Sequence, residues 1–270
     1  MDCVLVAGGR PEPKDPLYVE TQGEPKALLE IDGRPIVELV LQALHGAESI
    51  DRVVLVGLDA DVNLDKGQPL ETIADQGGLV ANGLAGLSRL LERRPETKHV
   101  LFSSADIPAV SSDIVDDIVD GCRPFEKAAY YFMVDRQTME RSYPNSARTF
   151  VRLKDMQVAG ADMFIADARL ASENSQLLHD MAAGRKRPWK LARIVGLGTL
   201  LALWLSRLTL AGIEHRAETV IGRPVSVQLT PHAQLAMDVD KPEQLQLLRK
   251  AMASTGPERR LDHPLARGTQ

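Results

Sequence analysis

Cysteine is nearly absent from this 270-residue chain: Cys3 and Cys122 are the only two. Two isolated cysteines build neither a zinc framework nor a disulfide scaffold, so they point to a reducing compartment, the cytoplasm. An excess of positive charge is missing too. The 32 lysines and arginines are outnumbered by 37 aspartates and glutamates, for a net charge of −5. Bulk electrostatics therefore gives no case for nucleic acid as a partner. Met1 leads directly into a short apolar strand, with neither the basic nor the long apolar region of a signal peptide.

Long hydrophobic runs are lacking as well. The stretch from Ile194 to Leu205, whose only polar side chain is Thr199, is twelve residues long. Roughly 20 are needed to cross a bilayer. Basic residues and Trp189 precede this stretch, and Trp204 lies within it. Two readings follow: a helical hairpin buried on a sheet, or an interfacial segment that brings the protein to a membrane or a lipid-linked acceptor. Internal repeats and low-complexity linkers are absent. That leaves one domain over residues 1–253 with an inserted or appended lobe, and a polar, proline-containing tail over 254–270 expected to be mobile.

What is present is ordinary for a globular protein: 44% hydrophobic and 26% charged residues. Val4 to Val6 and "RVVLVG" (52–57) read as buried strands, and "HVLFSSADIP" (99–108) carries a third. Helices are expected from Pro35 to Leu44, from about Leu79 onward, and over "SSDIVDDIVDGC" (111–122), where Asp113 looks like the cap and Gly121 the stop. This alternation signals a parallel sheet with helices on both faces. Ligands of such sheets bind beyond the carboxyl ends of the strands, here the "AGGR" and "SSADIP" loops. Further strands are expected at 128–134, 148–155, "PVSVQLTP" (224–231) and "LAMDVD" (235–240). Helices are expected over 167–181, twice within 189–221, and over "KPEQLQLLRKAM" (241–252).

Three places carry the residue types of phosphate chemistry. Gly8 and Gly9 let a backbone approach a ligand closely and present N–H groups to phosphate oxygens. Arg10 and Lys26 can neutralise phosphate charge. The loop lacks the Lys-Ser/Thr of a Walker motif and the spacing of a dinucleotide fingerprint. Asp106, at the end of a strand, places a carboxylate at the ligand face. Asp238 and Asp240, two apart, share a face if their segment is a strand. With Asp106, Asp240 could close a magnesium site, since that ion takes one or two carboxylates beside phosphate oxygens and water. Cys3, inside a strand, reads as a core residue.

Taken in order, "LVAGGR", "PKALLEIDGRPIVELVLQAL", "GGLVANGLAGL", "SSADIP" and "MDVDKPEQL" resemble the nucleotidyltransferases of the glycosyltransferase-A-like fold. Among these are molybdenum-cofactor guanylyltransferases, the cytidylyltransferase of the methylerythritol pathway, and sugar-phosphate nucleotidyltransferases. The resemblance spans about residues 1–135 and 224–252. It implies a three-layer α/β/α, Rossmann-like, mostly parallel sheet, with a helical addition in the second half and an acceptor-side lobe over 136–223. It also implies a reaction: an acceptor phosphate or hydroxyl attacks the α-phosphorus of a nucleoside triphosphate, and pyrophosphate leaves.

By the same resemblance, Ala7, Gly8 and Gly9 form the glycine-rich loop and Lys26 contacts phosphates as a catalytic residue with Asp106; Arg10, which departs from the family's pattern, is the third catalytic candidate. Gly78, Asn82 and Gly83 bind base and ribose. Asp106 and Asp240 hold magnesium, with Asp238 in reserve. The family's Arg-Met-Gly stretch is missing after the first glycines, and Arg10 or Lys14 is the available substitute. Two rivals share the fold: a glycosyltransferase with a nucleotide-sugar donor, and a nucleotide-binding module without turnover. For the acceptor, the run Arg136, Arg141, Arg148, Arg152 and Lys154 reads either as a solvated surface or as an anion site.

Overall fold

The structure, a computed structural model, describes residues 1–59, 62–64, 70–173, 177, 180 and 194–253. The expected tail, Trp189 and the basic residues around it lie outside the described residues, as does most of the helix expected to reach residue 181.

The strands are β1 (Asp2–Val6), β2 (Glu30–Ile31), β3 (Arg34–Pro35), β4 (Arg52–Val56), β5 (Glu71–Ile73), β6 (His99–Ser104), β7 (Ala129–Asp135), β8 (Val151–Arg152), β9 (Gln157–Asp167) and β10 (Val225–Leu229). Seven run side by side in the order β10-β7-β9-β6-β1-β4-β5, and β8 adds to β9. Pairing is parallel from β6 through β1 and β4 to β5, and again between β10 and β7. Only β9 runs against its neighbours β6 and β7, and β8 pairs antiparallel with it. The mostly parallel α/β sheet expected from the sequence is the one observed.

The first helix, α1 (Tyr18–Thr21), lies in the long loop after β1. Alternation along β1 divides the core. Cys3 and Leu5 join the cluster with Val37, Leu41, Ile114 and Val115, which come from α2 (Ile36–Gly46) and α4 (Ser112–Asp120). Val4 and Val6 face the other way, onto Leu87 and Leu90 of α3 (Leu79–Arg93). Successive side chains of a strand point to opposite faces, so a fully apolar strand can bury both. Cys3 is completely buried, as expected of a core residue.

Local chemistry sets the helix ends. Ser111, not Asp113, caps α4, its hydroxyl accepting from the amide of Ile114 at 3.4 Å. Asp135 caps the next helix, Arg136–Ser142, accepting from the amide of Thr138 at 3.0 Å.

Three expectations need correction. "LAMDVD" is not a strand: Ala233–Ala236 form a 3₁₀ turn and the residues after it are irregular. Within 148–155 only Val151–Arg152 are extended in a ladder. The buried hairpin is not observed either. Helices Leu197–Trp204 and Leu210–Ile221 form, but neither contains a fully buried residue. Leu197 and Trp204 are 75% and 80% exposed. Among the described residues, no helix is long and apolar enough to cross a membrane.

Candidate active site

The site lies where β1, β4 and β6 end. Leaving β1, Ala7 donates its amide to the carbonyl of Val56 at 2.7 Å. Gly57 follows at φ +110°, and a Cβ on it would sit 2.2 Å from the Gly8 nitrogen. A Cβ on Gly8 would lie 2.5 Å from Asn82 Nδ2 and 2.6 Å from Asp75 Oδ1. The loop after β1, the end of β4 and the start of α3 thus converge on a point where no side chain fits.

Asn82 holds that convergence. It is buried, its Oδ1 accepts from the amide of Gln76 at 2.7 Å, and its Nδ2 donates to Asp75 Oδ1 at 2.7 Å. Its amide group is thereby committed to shaping the 75–77 turn. Gly78, exposed, precedes the first residue of α3. Gly83 lies on the sheet side of that helix, facing the Phe102 ring.

Lys26 returns to the same point from a distant part of the loop. Its amide donates to the carbonyl of Gly9 at 2.9 Å, and a Cβ on Gly9 would lie 3.1 Å from its Cε. Its ammonium pairs with Asp106 Oδ2 and, at 2.7 Å, with Asp240 Oδ1. Burial opposes the charge on this amine, but the two carboxylates outweigh it and hold the pKa above the ordinary lysine value.

The acidic residues are fixed by backbone. Ala105 donates to the carbonyl of Val6 at 2.9 Å, which locks the strand end before Asp106. Val239 donates to the Asp106 carbonyl at 3.0 Å, drawing in the segment with Asp238 and Asp240. The Asp240 amide in turn donates to Oε1 of buried Gln244 at 3.0 Å. Asp106, Asp238 and Asp240 each offer an oxygen, and these lie within 4.8 Å of one another. Asp106 and Asp238 are buried, while Asp240 is exposed.

Arg148 closes the far side. Its Nη1 pairs with Asp238, and its Nη2 donates to the carbonyl of Gly160 at 3.0 Å and to Asp162 Oδ2 at 3.2 Å. Burial pushes the Asp162 carboxyl up to about 8, the charges of Asp106 and Asp238 add to this, and Arg148 and Lys26 oppose it. Burial also raises Asp238, to about 6, against the pull of Arg148.

Arg10 does not join this cluster. It stands on the exposed loop with Glu24 at 3.6 Å and Asp59 at 4.0 Å. Lys14 pairs with Glu12 at 2.6 Å. Asp75, Asp162 and Gln244 were not singled out from the sequence, and Arg148 was only one of several arginines in a run. Nothing local marks them, because each takes its role from a partner distant in the sequence or across a turn.

The donor set suits a hard divalent cation. All its atoms are carboxylate oxygens, and Oδ1 of Asp106 is buried without a hydrogen-bond partner. Four carboxylates, those of Asp106, Asp162, Asp238 and Asp240, face two cations, Lys26 and Arg148. Even with Asp162 protonated, negative charge is in surplus.

Residues 3–197 match the family described as the MobA-like NTP transferase domain. A molybdenum cofactor guanylyltransferase of Yersinia pestis is 28% identical over 153 residues, 56% of this chain and 69% of that protein. A solved structure described as a hypothetical transferase from Thermus thermophilus is 33% identical, with a TM-score of 0.76 over 90% of this chain and 98% of its own. The 4-diphosphocytidyl-2C-methyl-D-erythritol synthase of Anaerococcus prevotii, 13% identical, shares the fold at a TM-score of 0.58 over 93% of this chain and 95% of its own.

Proposed function

This chain belongs to the family of MobA-like NTP transferase domains, and we propose that it transfers a nucleoside monophosphate from a nucleoside triphosphate to a phosphorylated or hydroxyl-bearing small molecule, releasing pyrophosphate. The observation that carries this reading is the Lys26 ammonium, set over Gly9 and between the carboxylates of Asp106 and Asp240.

An oxygen of the acceptor attacks the α-phosphorus. As that bond forms, the bond from the α-phosphorus to the bridging oxygen of the β-phosphate breaks. The electron pair leaves with pyrophosphate. The triphosphate repels an anionic acceptor, so the protein must supply positive charge where negative charge gathers. The glycines at 8 and 9 let the phosphates approach the backbone. Lys26 exchanges a carboxylate oxygen for a phosphate oxygen and follows the charge as it moves toward the leaving group. Asn82 and Asp75 keep the 75–77 turn in place for the nucleoside. Arg148 keeps Asp238 ionised beside Asp106 and Asp240. Magnesium held by Asp106 and Asp240, with Asp238 beside them, would supply Lewis-acid charge neutralisation at the phosphates. A phosphate acceptor, already ionised at neutral pH, needs no general base.

The test is a thermal-shift screen of CTP, GTP, UTP, ATP and dTTP, each with and without magnesium. A ligand that binds only the folded state raises its apparent stability by mass action. A magnesium-dependent rise with at least one triphosphate, lost in Asp106→Ala, is expected. A folded protein that responds to none of the five rejects the proposal. Pyrophosphate release then separates it from a nucleotide-sugar transferase.

A further inference from the structure

Beside the acid cluster lies an open cleft of about 520 Å³, lined by Arg136, Asn145, Ser146, Arg148, Phe150 and Gln157 among others. Resting on the nucleotidyl-transfer reading above, we propose that this cleft is the acceptor site and that the acceptor is a small polyhydroxylated phosphate ester.

Position is the first argument. Arg148 lines the cleft and also pairs with Asp238 in the acid cluster. A phosphate drawn to the cleft side of Arg148 therefore stands next to the carboxylates around which the triphosphate is to be held.

The second argument is an unmet hydrogen bond. Ser146 is 2% exposed, lines the cleft, and its hydroxyl has no partner. A buried hydroxyl without a partner is costly, and native proteins rarely leave one so unless a ligand or water completes it. The backbone around it is held in an unusual shape. Asn145 and Ala147, on either side, adopt φ of +57° and +53°, the left-handed region that costs a residue with a side chain. Lys241 Nζ donates to the Ala147 carbonyl at 2.8 Å, and the Asn145 amide donates to Glu140 Oε2 at 3.2 Å. Both flanks of Ser146 are thus pinned from outside the turn.

The lining gives the chemistry of the occupant. Arg136 lies over the Phe150 ring at 5.4 Å, donates to Gln157 Oε1 at 3.1 Å, and stands 3.7 Å from Glu140. This guanidinium is half exposed and only loosely paired, so it can turn to an anion. Arginine's planar fork suits two phosphate oxygens at once. Arg136 covers the Phe150 face, the one aromatic surface in the lining. The cleft therefore offers a flat ring no stacking partner and an acyl chain little apolar wall. The rest of the lining is Asn145, Ser146 and Gln157, hydrogen-bonding groups that fit hydroxyls, with Ala147 and the Glu140 carboxylate, which can accept from a hydroxyl. In the transfer step the phosphate oxygen of this ester forms the bond to the α-phosphorus, and pyrophosphate departs with the electron pair of the broken bond.

The experiment measures binding by isothermal titration calorimetry. The probes are ribose 5-phosphate, glucose 1-phosphate and glycerol 3-phosphate, their unphosphorylated counterparts, and inorganic phosphate. The proteins are the wild type, Arg136→Ala, Arg136→Lys and Ser146→Ala. At least one ester should bind wild type, more tightly than inorganic phosphate, and its parent polyol should not. Arg136→Ala and Ser146→Ala should weaken that ester at least tenfold, with partial recovery in Arg136→Lys. The magnesium-dependent response to the triphosphate should stay unchanged in all three variants. The proposal is overturned if no ester binds, if inorganic phosphate binds as tightly as any ester, or if the two alanine variants bind like wild type. Loss of the triphosphate response in the wild type is a separate result, and it rejects nucleotidyl transfer itself.

Discussion

The main-chain amide of Val239 donates to the carbonyl oxygen of Asp106 at 3.0 Å. This bond joins the loop after β6 to a segment near the other end of the chain, and it brings Asp240 to the Lys26 ammonium and Asp238 to Arg148. The acid cluster is therefore a product of backbone pairing rather than of side-chain attraction alone. Removing one of its charges should leave its frame standing.

Lys26→Met tests the charge. Its ammonium links Asp106 to Asp240, and in transfer it follows the phosphate charge. Loss of one such donor typically costs a factor of about 10² or more in rate. Pyrophosphate release should fall at least that far. Without metal the variant should also melt lower than wild type, because buried Asp106 loses its partner. Added magnesium should close most of that gap.

The metal-free protein should lose stability as pH rises. Folding raises the carboxyls of Asp238 to about 6 and of Asp162 to about 8, from an ordinary 3.8. Below the unfolded value both states are protonated and the contribution is fully present. As pH climbs through the folded values, the unfolded state has already released its protons, so ionisation favours unfolding. Urea titrations between pH 4 and 8.5 should show this decline, and Asp162→Asn should flatten its upper part. A wild-type slope of opposite sign would contradict the raised values.

Gly57→Ala should damage nucleotide binding through the backbone. The methyl would meet the Gly8 nitrogen at 2.2 Å and hold an alanine at φ +110°. Strain of this kind costs about 1–3 kcal/mol. The expected result is a lower urea midpoint together with a weaker triphosphate shift, since relief of the clash must move the loop after β1.

Asn82→Ala separates positioning from direct contact. Its amide group holds Gln76 and Asp75, so its loss frees the turn and leaves Asp75 Oδ1 with one partner fewer. Two such hydrogen bonds are worth about 1–3 kcal/mol in all. Amide exchange at Gln76 should accelerate, and triphosphate affinity should drop roughly tenfold, about 1.4 kcal/mol. Unchanged exchange at Gln76 would remove the positioning role.

The parts of this fold that are legible in sequence are those fixed by neighbours along the chain. β1, β4 and β6 are short apolar runs, and the helices between them carry 3.6-residue periodicity, so each is readable from its own residues. β9 is not. "QVAGADMFIAD" mixes glycine, alanine and aspartate with its apolar residues, and its strand character comes from lying between β6 and β7. Lys26, Asp106 and Asp240 are legible as a set because five stretches occur in order. Arg10 is read from its place beside the glycines alone, and its ion partners in the structure are Glu24 and Asp59. Arg148, in the irregular segment before β8, pairs with Asp162 of β9, and no spacing in the sequence encodes that pair.

The place of β9 has a consequence for synthesis. β7 emerges from the ribosome before β9, yet it reaches β6 only through β9. A nascent chain ending near residue 150 can assemble β1, β4, β5 and β6 but has nothing to which β7 can dock. The link between β6 and β7, and with it the seat of Arg148 against Gly160, waits for translation to pass residue 167. β10 and the acids at 238 and 240 follow later still, so the cleft forms after the phosphate loop and before the acid cluster is complete.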